Sequence, residues 1–289
     1  MKIERIPNFW DLSWAEIKKD KFAFVSFFML IAVLIFSFVI PMFIDEGYTT
    51  RIILGQLNQS PQQFGRLGTD EGGRDMINML FLGARNTFTI AFAVTILSLF
   101  IGYTIGLFSS YYGSYYDFIA VRVADFFIMV PTLMVIVVLI TLSPNYGMWQ
   151  FIVIMTSFIW TGGLLSIRPR VLQESAKDYV QASKTLGTPN YKIIFKKIFP
   201  NILSYMMVGT IISLAGNIGL ETALTVIGFG LPIGTPSLGQ LISRAMNPVV
   251  LANRLWQWVP AAFLVFLMTI CIYGVGQAVS RAANPKQRR

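Results

Sequence analysis

The sequence predicts an all-α, polytopic membrane protein with six transmembrane helices. Of its 289 residues, 55% are hydrophobic and only 13% are charged, whereas soluble domains average about 25% charged residues. Apolar runs of roughly 20 residues, long enough to cross a hydrocarbon layer, recur along the chain. Lysine and arginine flank these runs, so orientation in a lipid bilayer explains the net charge of +9 better than binding to nucleic acid does.

The first two segments predict a cytoplasmic N-terminal segment and a membrane anchor. Residues 1–21 are polar, and Trp10 and Trp14 suggest a short interfacial helix, with a frayed tail as the alternative. Residues 22–44 form the first predicted span. This run is too long for the hydrophobic region of a cleavable signal peptide, so we expect it to remain as an anchor.

Residues 45–85 predict an extracytoplasmic loop, and residues 86–285 a five-helix core. Gly102 and Gly106 predict close packing of the second span against a neighbour. The five expected spans cover residues 86–108, 118–142, 149–167, 202–220 and 260–279.

Polar features near the ends of these spans predict surface structure. Arg122 and Asp125, three residues apart, predict an ion pair near the membrane surface rather than an ion pathway. The segment that starts at Glu221 is apolar but broken by glycine and proline, so we expect it to be re-entrant or on the surface. Cys271 lies in an apolar run and predicts a packing residue. Residues 286–289 form a basic tail.

A polar, basic segment at residues 168–201 interrupts the core and predicts two short helices. Ser175 is a weak capping-box start for the first helix. Gly187 is placed for the left-handed residue that ends a helix. Thr188 followed by Pro189 predicts an N-cap and the first position of the second helix.

The second helix of this segment is expected to bury one apolar face. Pro200 is expected to end or kink it. The pattern by itself equally fits an ordinary pair of amphipathic helices at the interface. The face consists of residues at helical spacing, namely Tyr191, Ile194, Phe195, Ile198 and Phe199.

This segment resembles the EAA loop of ABC importer permeases, which forms a coupling helix that docks into a groove of a cytoplasmic ATPase. The family pattern is Glu-Ala-Ala, three residues, Gly, nine residues, Ile, one residue, Leu-Pro. Ala182, Gly187 and Pro200 match it. Gln181 replaces the glutamate and can form hydrogen bonds but no ion pair. The other replacements are Ser183, Lys197 and Phe199. The resemblance implies ATPase coupling by Tyr179, Gln181, Ala182, Ser183, Leu186, Gly187 and Pro200.

A second stretch resembles a motif that precedes the second span in the C-type permease of oligopeptide and dipeptide ABC importers. Its closely spaced glycines and charges suggest a tight turn with internal ion pairs, although chemistry alone favours a solvated loop. Gly83-Ala84-Arg85 match the motif that follows, whereas Gly72 and Leu82 depart from the family. The residues that match Gly-Thr-Asp-x-x-Gly-Arg-Asp are Gly68, Thr69, Asp70, Gly73, Arg74 and Asp75.

Further matches, from Glu221 to Gly239, extend the resemblance over most of the chain. The resemblance implies the type I ABC importer permease fold and one half of a pathway that imports oligopeptides or dipeptides by alternating access. Implied partners are a B-type permease, one or two cytoplasmic ATPases that bind ATP and Mg, and an extracytoplasmic peptide-binding protein. Permeases for nickel or glutathione share these motifs and stay open as alternatives.

Two other classes of protein fit less well, namely a membrane enzyme and an ATPase-independent channel or secondary transporter. An enzyme needs polar catalytic groups at depth, but the sequence has no histidine and offers only Glu221, at an expected span end. A secondary transporter commonly shows an inverted repeat, which is not visible here. We therefore expect no catalytic residue, bound cofactor or metal on this chain. Because a P-loop motif is also missing, energy must come from a partner.

The distribution of basic residues predicts the orientation in a bacterial inner or plasma membrane. With both termini cytoplasmic, 17 of the 23 lysines and arginines lie in inside segments and 6 in outside segments. The positive-inside rule then places residues 168–201 in the cytoplasm, where an ATPase can reach them.

Overall fold

A computed structural model describes most of the chain. It shows helices and one isolated bridge, between Thr69 and Asp75, and no strand within the described part. The predicted basic tail at residues 286–289 lies outside the described residues, as do residues 1–8 of the predicted N-terminal segment. The described residues are 9–49, 51–64, 66–143, 145–232 and 234–283.

The α-helices alternate with short turns. In chain order they are α1 (Phe9–Lys19), α2 (Lys21–Val39), α3 (Pro61–Phe64), α4 (Met76–Tyr112), α5 (Ser114–Met129), α6 (Thr132–Thr141), α7 (Met148–Ser175), α8 (Asp178–Thr185), α9 (Asn190–Ile193), α10 (Phe199–Val226), α11 (Leu238–Ser243), α12 (Pro248–Asn253) and α13 (Val259–Ala283). A π-helical turn joins α9 to α10 at Ile194–Ile198. Turns of 3₁₀ helix lie at Ile40–Phe43, Glu46–Thr49, Leu54–Gln56, Arg244–Met246 and Leu255–Gln257.

Helix length and composition agree with the predicted number of crossings. Among the described residues, five helical stretches are long and apolar enough to cross a membrane, and α5 with α6 makes a sixth if the bent pair counts as one span. The five stretches are Lys21–Phe43, Met76–Tyr112, Met148–Ser175, Asn190–Val226 and Val259–Ala283.

The third span was expected to be one helix and is broken instead. The axes of α5 and α6 differ by 75°, and the break falls at Val130 and Pro131. A proline ring disfavours the helical conformation of the residue before it, and Val130 is indeed extended, with ψ 127°. Pro131 then serves as the N-cap of α6.

Several helices extend beyond their predicted ends because hydropathy detects the apolar part of a helix, not its full length. The second span was expected to start at Asn86, but α4 starts at Met76, where the Asp75 carboxylate accepts from the Ile77 N–H at 2.8 Å. The fifth span was expected to end before Glu221, but α10 continues to Val226. Glu221 is therefore inside a helix, fully buried, and not at the start of a re-entrant segment.

Helix α4 is central to the bundle and packs against α7 and α10, and α10 packs against α13. The predicted close approach at Gly102 is confirmed, since a Cβ there would lie 2.2 Å from the Trp160 carbonyl oxygen in α7. Helix α1 packs against α13. Arg281 of α13 also pairs with Asp20, the N-cap of α2, at 2.5 Å. Cys271 is buried, as expected for a packing residue.

The alternating direction of the crossing helices gives the bundle two ends. The loop end carries α1, the C-terminal end of α4, and residues 176–198 between α7 and α10. The opposite end, called the clasp end, carries the described residues between 44 and 75 and between 227 and 258. The two sequence motifs singled out above therefore lie at opposite ends of the molecule.

Candidate functional site

The segment predicted to couple to an ATPase, residues 168–201 and called the coupling loop below, begins as a continuation of α7. Ser175 was expected to start a helix but is the last residue of α7, and α8 starts at Asp178 without a side-chain cap. Ile167 and Val171 are fully buried, so packing continues along one face of α7 past its apolar run. That packing extends the helix through the local start signal at Ser175.

Gly187 ends α8 as predicted. Its φ is +76°, its N–H donates to the Lys184 carbonyl, and the Thr188 N–H donates to the Ser183 carbonyl, both at 3.1 Å. These two bonds make a Schellman motif. Thr188 was predicted to be the N-cap of the next helix, but the N-cap lies one residue later. The N-cap of α9 is Pro189, whose carbonyl accepts from the Lys192 N–H at 2.9 Å.

The predicted apolar face of the second helix is confirmed only in part, at Ile194 and Ile198. Ile193, Ile194 and Ile198 are fully buried, whereas Tyr191 is 60% exposed and Phe195 52% exposed. The π-helical turn, in which the Phe199 N–H donates to the Ile194 carbonyl, widens the helix and rotates the side chains that follow. Pro200 does not end the helix, because it lies at the second position of α10, which continues to Val226.

Most of α8 faces outward. Val180, which is 1% exposed, packs into an apolar cluster with Val171 and Ile194. Leu186 at the tip of the loop is 85% exposed, and Gln181 and Ala182 are also exposed. Leu186 therefore stands clear of the bundle on the turn that ends α8.

The predicted coupling residues take different places in this loop. Ala182, Leu186 and Gly187 are exposed on α8 and its closing turn. The Gln181 side-chain N–H donates to the Ser175 carbonyl at 2.7 Å, and the Ser183 hydroxyl donates to the Tyr179 carbonyl at 2.7 Å. The structure thus brings six of the seven predicted residues together on one short helix and its turn, Tyr179, Gln181, Ala182, Ser183, Leu186 and Gly187, and places Pro200 on α10.

Tyr179 joins this helix to both neighbouring spans. Its hydroxyl donates to the Glu174 carboxylate in α7 and accepts from the Asn201 amide of α10 at 2.8 Å. Burial, together with the hydrogen bond to Glu174, raises the pKa of Tyr179 to about 12, so the hydroxyl stays a donor at physiological pH. Lys177 also pairs with Glu174, at 2.7 Å.

Sequence reasoning missed Glu174 and Asn201 in this arrangement. The available signal was Glu174 itself, an acidic residue close to Tyr179 in a basic segment. Other side chains tie the coupling loop to the bundle: Arg168 pairs with Asp117 of α5 at 2.7 Å, and the Tyr111 hydroxyl donates to Asn190 at 2.9 Å. Arg122 and Asp125 form the predicted pair, at 3.6 Å.

At the opposite end, the motif Gly68–Asp75 folds into a tight turn with internal ion pairs. Asp70 is fully buried. One carboxylate oxygen accepts from the Gly72 and Arg74 N–H groups at 2.8 and 2.9 Å, and the other accepts from the Arg74 side chain at 2.9 Å. Arg244 also donates to Asp70, at 3.0 Å. The alternative of a freely solvated loop is wrong for this stretch.

Further hydrogen bonds attach the motif to the segment before α13. The Thr69 carbonyl accepts from the Trp256 and Gln257 side chains, each at 3.1 Å. Arg254 and Gln257 also donate to Asn58, at 2.7 and 3.0 Å. We call this assembly the clasp, defined as residues 68–75 with Asn58, Arg244, Arg254, Trp256 and Gln257.

The remaining motif residues give the clasp its shape. Asp75 caps α4 and pairs with Arg66 at 3.0 Å. Gly68 and Gly73 have φ of +76° and +75°, and a Cβ at Gly73 would lie 2.4 Å from the Ile53 carbonyl oxygen. The structure thus assembles all six predicted motif residues, and adds Arg244, a lone charge in an apolar, glycine-rich and proline-rich segment of the sequence.

Glu221 has no arrangement that suggests catalysis. It lies within α10, where its carboxylate accepts from the Thr225 hydroxyl at 3.0 Å, and it is fully enclosed. Among the described residues, no group of three or more histidine, cysteine, aspartate or glutamate side chains is placed to hold a metal ion.

Comparison with known families supports a transport role. Residues 98–285 match the family described as binding-protein-dependent transport system inner membrane component. Residues 8–61 match the N-terminal transmembrane domain of oligopeptide transport permease C. The chain belongs to this family of inner membrane transport components. The first match covers α13, α10, α7 and the coupling loop, and the second covers α1 and α2.

Individual relatives are similar along nearly the whole chain. The oligopeptide transport system permease protein OppC of Lactococcus lactis subsp. cremoris is 41% identical over 94% of this chain and 93% of its own length. The oligopeptide transport system permease protein AmiD of Streptococcus pneumoniae is 30% identical over 98% of this chain and 91% of its own. The dipeptide transport system permease protein DppC of Bacillus subtilis is 28% identical over 96% of this chain and 86% of its own.

The family and the fold agree with each other. The chain is a C-type permease component with an all-α, multi-pass membrane fold, and it contributes to the translocation pathway of an importer. Its family implies association with an ATPase and a substrate-binding protein. The resemblance seen in the sequence is therefore confirmed at the level of the family.

Proposed function

We propose that this permease forms half of an alternating-access pathway for oligopeptides or dipeptides, and that the coupling loop is where a cytoplasmic ATPase docks. The observation that carries the docking proposal is the outward face of α8 and its turn, where Leu186 is 85% exposed while Val180 anchors the helix in the core. An apolar tip on a rigid base suits insertion into a groove of a partner.

The remaining subunits follow from what the chain contributes. Because it carries no P-loop motif, ATP and Mg bind to one or two partner ATPases, and this chain is non-catalytic. The second half of the pathway is a B-type permease, and an extracytoplasmic peptide-binding protein delivers the cargo at the clasp end. Both termini lie in the cytoplasm, as the basic residues favour, in a bacterial inner membrane.

The docking proposal is tested by crosslinking in membranes that contain the co-expressed partners. Ala182→Cys, in a chain with Cys271→Ala, places one thiol on the exposed face of α8. The matched control is Gln62→Cys, which is exposed at the clasp end. We expect a nucleotide-sensitive crosslink from position 182 to an ATPase and none from position 62. Free labelling of position 182 from the cytoplasm with no crosslink would contradict the docking role.

The same variants test the orientation. A thiol reagent that does not cross membranes is expected to label position 62, but not position 182, in intact cells. The reverse result would invert the proposed topology.

The cargo is tested separately with labelled peptides of different lengths. Vesicles containing the complete importer and its binding protein are expected to accumulate oligopeptides or dipeptides only when ATP is hydrolysed. Accumulation of nickel or glutathione with no peptide uptake would contradict the peptide assignment while leaving ATPase docking intact.

A further inference from the structure

We propose that Tyr179 is the joint that transmits movement of the coupling helix α8 to the two spans beside it, rather than a contact for the ATPase. This inference rests on the proposed docking of an ATPase on the coupling loop. The Tyr179 joint consists of Tyr179, the Glu174 carboxylate of α7, and the Asn201 side chain of α10 with the Lys197 carbonyl that it caps. Tyr179 is a positioning residue in this account.

The first support is the position of a single oxygen atom. The Tyr179 hydroxyl donates to Glu174 and accepts from Asn201 at 2.8 Å, so one group on α8 is bonded to both α7 and α10. Glu174 is itself buried and held by Lys177 at 2.7 Å. Displacement of α8 must therefore stretch these bonds or carry both span ends with it.

The second support is that α10 is weakened where Tyr179 reaches it. The π-helical turn Ile194–Ile198 ends directly before α10, and π turns are common at functional sites in helices. Pro200 follows within two residues and has no N–H to donate to the preceding turn. A helix bends at such a position in preference to its regular stretches.

The third support is that Asn201 bridges this weak position. Its amide donates to the Lys197 carbonyl at 2.7 Å as well as to Tyr179. The side chain thus ties the π turn, before Pro200, to the regular helix after it. Because Tyr179 holds the same amide group, the angle between these two parts of α10 depends on where α8 lies.

The environment of Tyr179 distinguishes it from Tyr191, the other exposed tyrosine of the coupling loop. The Lys192 ammonium lies 5.9 Å from the centroid of the Tyr191 ring. Within the described part of the chain, the Tyr191 hydroxyl forms no hydrogen bond to another helix. Tyr191→Phe therefore removes the same group from the same loop as Tyr179→Phe, but it breaks no hydrogen bond between helices. It is the matched control.

The test uses the complete importer in lipid vesicles and measures peptide uptake per ATP hydrolysed. Tyr179→Phe removes the hydroxyl and keeps the ring. We expect the uptake per ATP to fall roughly two- to tenfold, the range set by the loss of one hydrogen bond, with the crosslink from Ala182→Cys unchanged. Tyr191→Phe is expected to leave both measurements unchanged.

A second variant separates transmission from mere stability. Asn201→Ala removes the other side of the bond and is expected to lower uptake per ATP in the same way, and the double variant is expected to be no worse than the more severe single one, because both break one unit. Normal uptake per ATP in Tyr179→Phe would overturn the proposal, and so would loss of the ATPase crosslink in that variant. If the Ala182→Cys chain with an intact Tyr179 and Asn201 gave no crosslink, the docking proposal itself would fail, which is a different result.

Discussion

The clasp and the coupling loop are both shaped by a glycine in the left-handed conformation, but only the clasp encloses its glycine. Gly73 and Gly187 have φ of +75° and +76°. A Cβ at Gly73 would lie 2.4 Å from a backbone oxygen, whereas a Cβ at Gly187 would have nothing within 4 Å. The same backbone geometry is thus buried at one end of the molecule and open at the other.

The side chains of the two regions also differ in how far the rest of the chain encloses them. In the clasp, a fully buried Asp70 is paired with two arginines, and distant parts of the sequence are joined. In the coupling loop, the apolar tip at Leu186 has no cover within the described residues. The polar groups of the clasp are thus paired within this chain, whereas the exposed tip of the coupling loop is the surface on which the docking proposal places the ATPase.

The largest effect on stability is expected from Asp70→Ala. It leaves Arg244 without its buried carboxylate partner, and removal of one partner of a buried pair costs about 3–5 kcal/mol. The midpoint of thermal unfolding in detergent should fall clearly. Asp45→Ala is the control, since its pair with Arg51 is more than half exposed on both sides and contributes about 0–1 kcal/mol. Equal falls of the thermal midpoint in the two variants would contradict a clasp that is stabilised by the buried Asp70.

A smaller effect is expected from the two glycines. Gly73→Ala and Gly187→Ala both cost about 1–2 kcal/mol for the left-handed backbone. Only Gly73→Ala adds a collision, with the Ile53 carbonyl, worth about 1–3 kcal/mol more. The thermal midpoints of the two variants should therefore differ, with Gly73→Ala the lower. Equal midpoints would show that the clasp accommodates the added methyl group as easily as the coupling loop does.

The smallest effect on stability is expected from Leu186→Ser. Its side chain is 85% exposed, so the free energy of unfolding should change by less than about 0.5 kcal/mol. Coupled peptide uptake should fall strongly, because the apolar tip is lost from the proposed docking surface. If Leu186→Ser lowered the stability and left peptide uptake normal, Leu186 would support the fold instead of docking, and the contrast with the clasp would be wrong.

Prediction from the sequence worked best where the cause is local. The end of α8 at Gly187 was predicted because a left-handed position selects glycine wherever it occurs. The helix start at Ser175 was wrong, because packing of α7 overrides a weak capping signal. The start predicted at Thr188 was displaced by one residue, since Pro189 is the N-cap of α9. Pro131 was a local signal for the break between α5 and α6, but the continuous apolar run around it predicted a single span.

The candidate sites were predicted in part. The motif residues Gly68 to Asp75 were identified, but Arg244, which meets Asp70 across the fold, was not. Tyr179 was identified as a coupling residue, whereas its bonds to Glu174 and Asn201 were missed. In each case the sequence supplied one side of the contact. The other side is a polar residue whose type alone does not specify a partner.

By itself the sequence determined the membrane class, the number of crossings and the family, because hydropathy, charge distribution and closely spaced motifs are properties of short stretches of chain. Only the tertiary structure decided that α4 starts inside the predicted loop, that Glu221 is buried within α10, and that the clasp joins two distant segments. These outcomes depend on long-range packing and pairing. Such contacts form only when the spans place distant residues side by side.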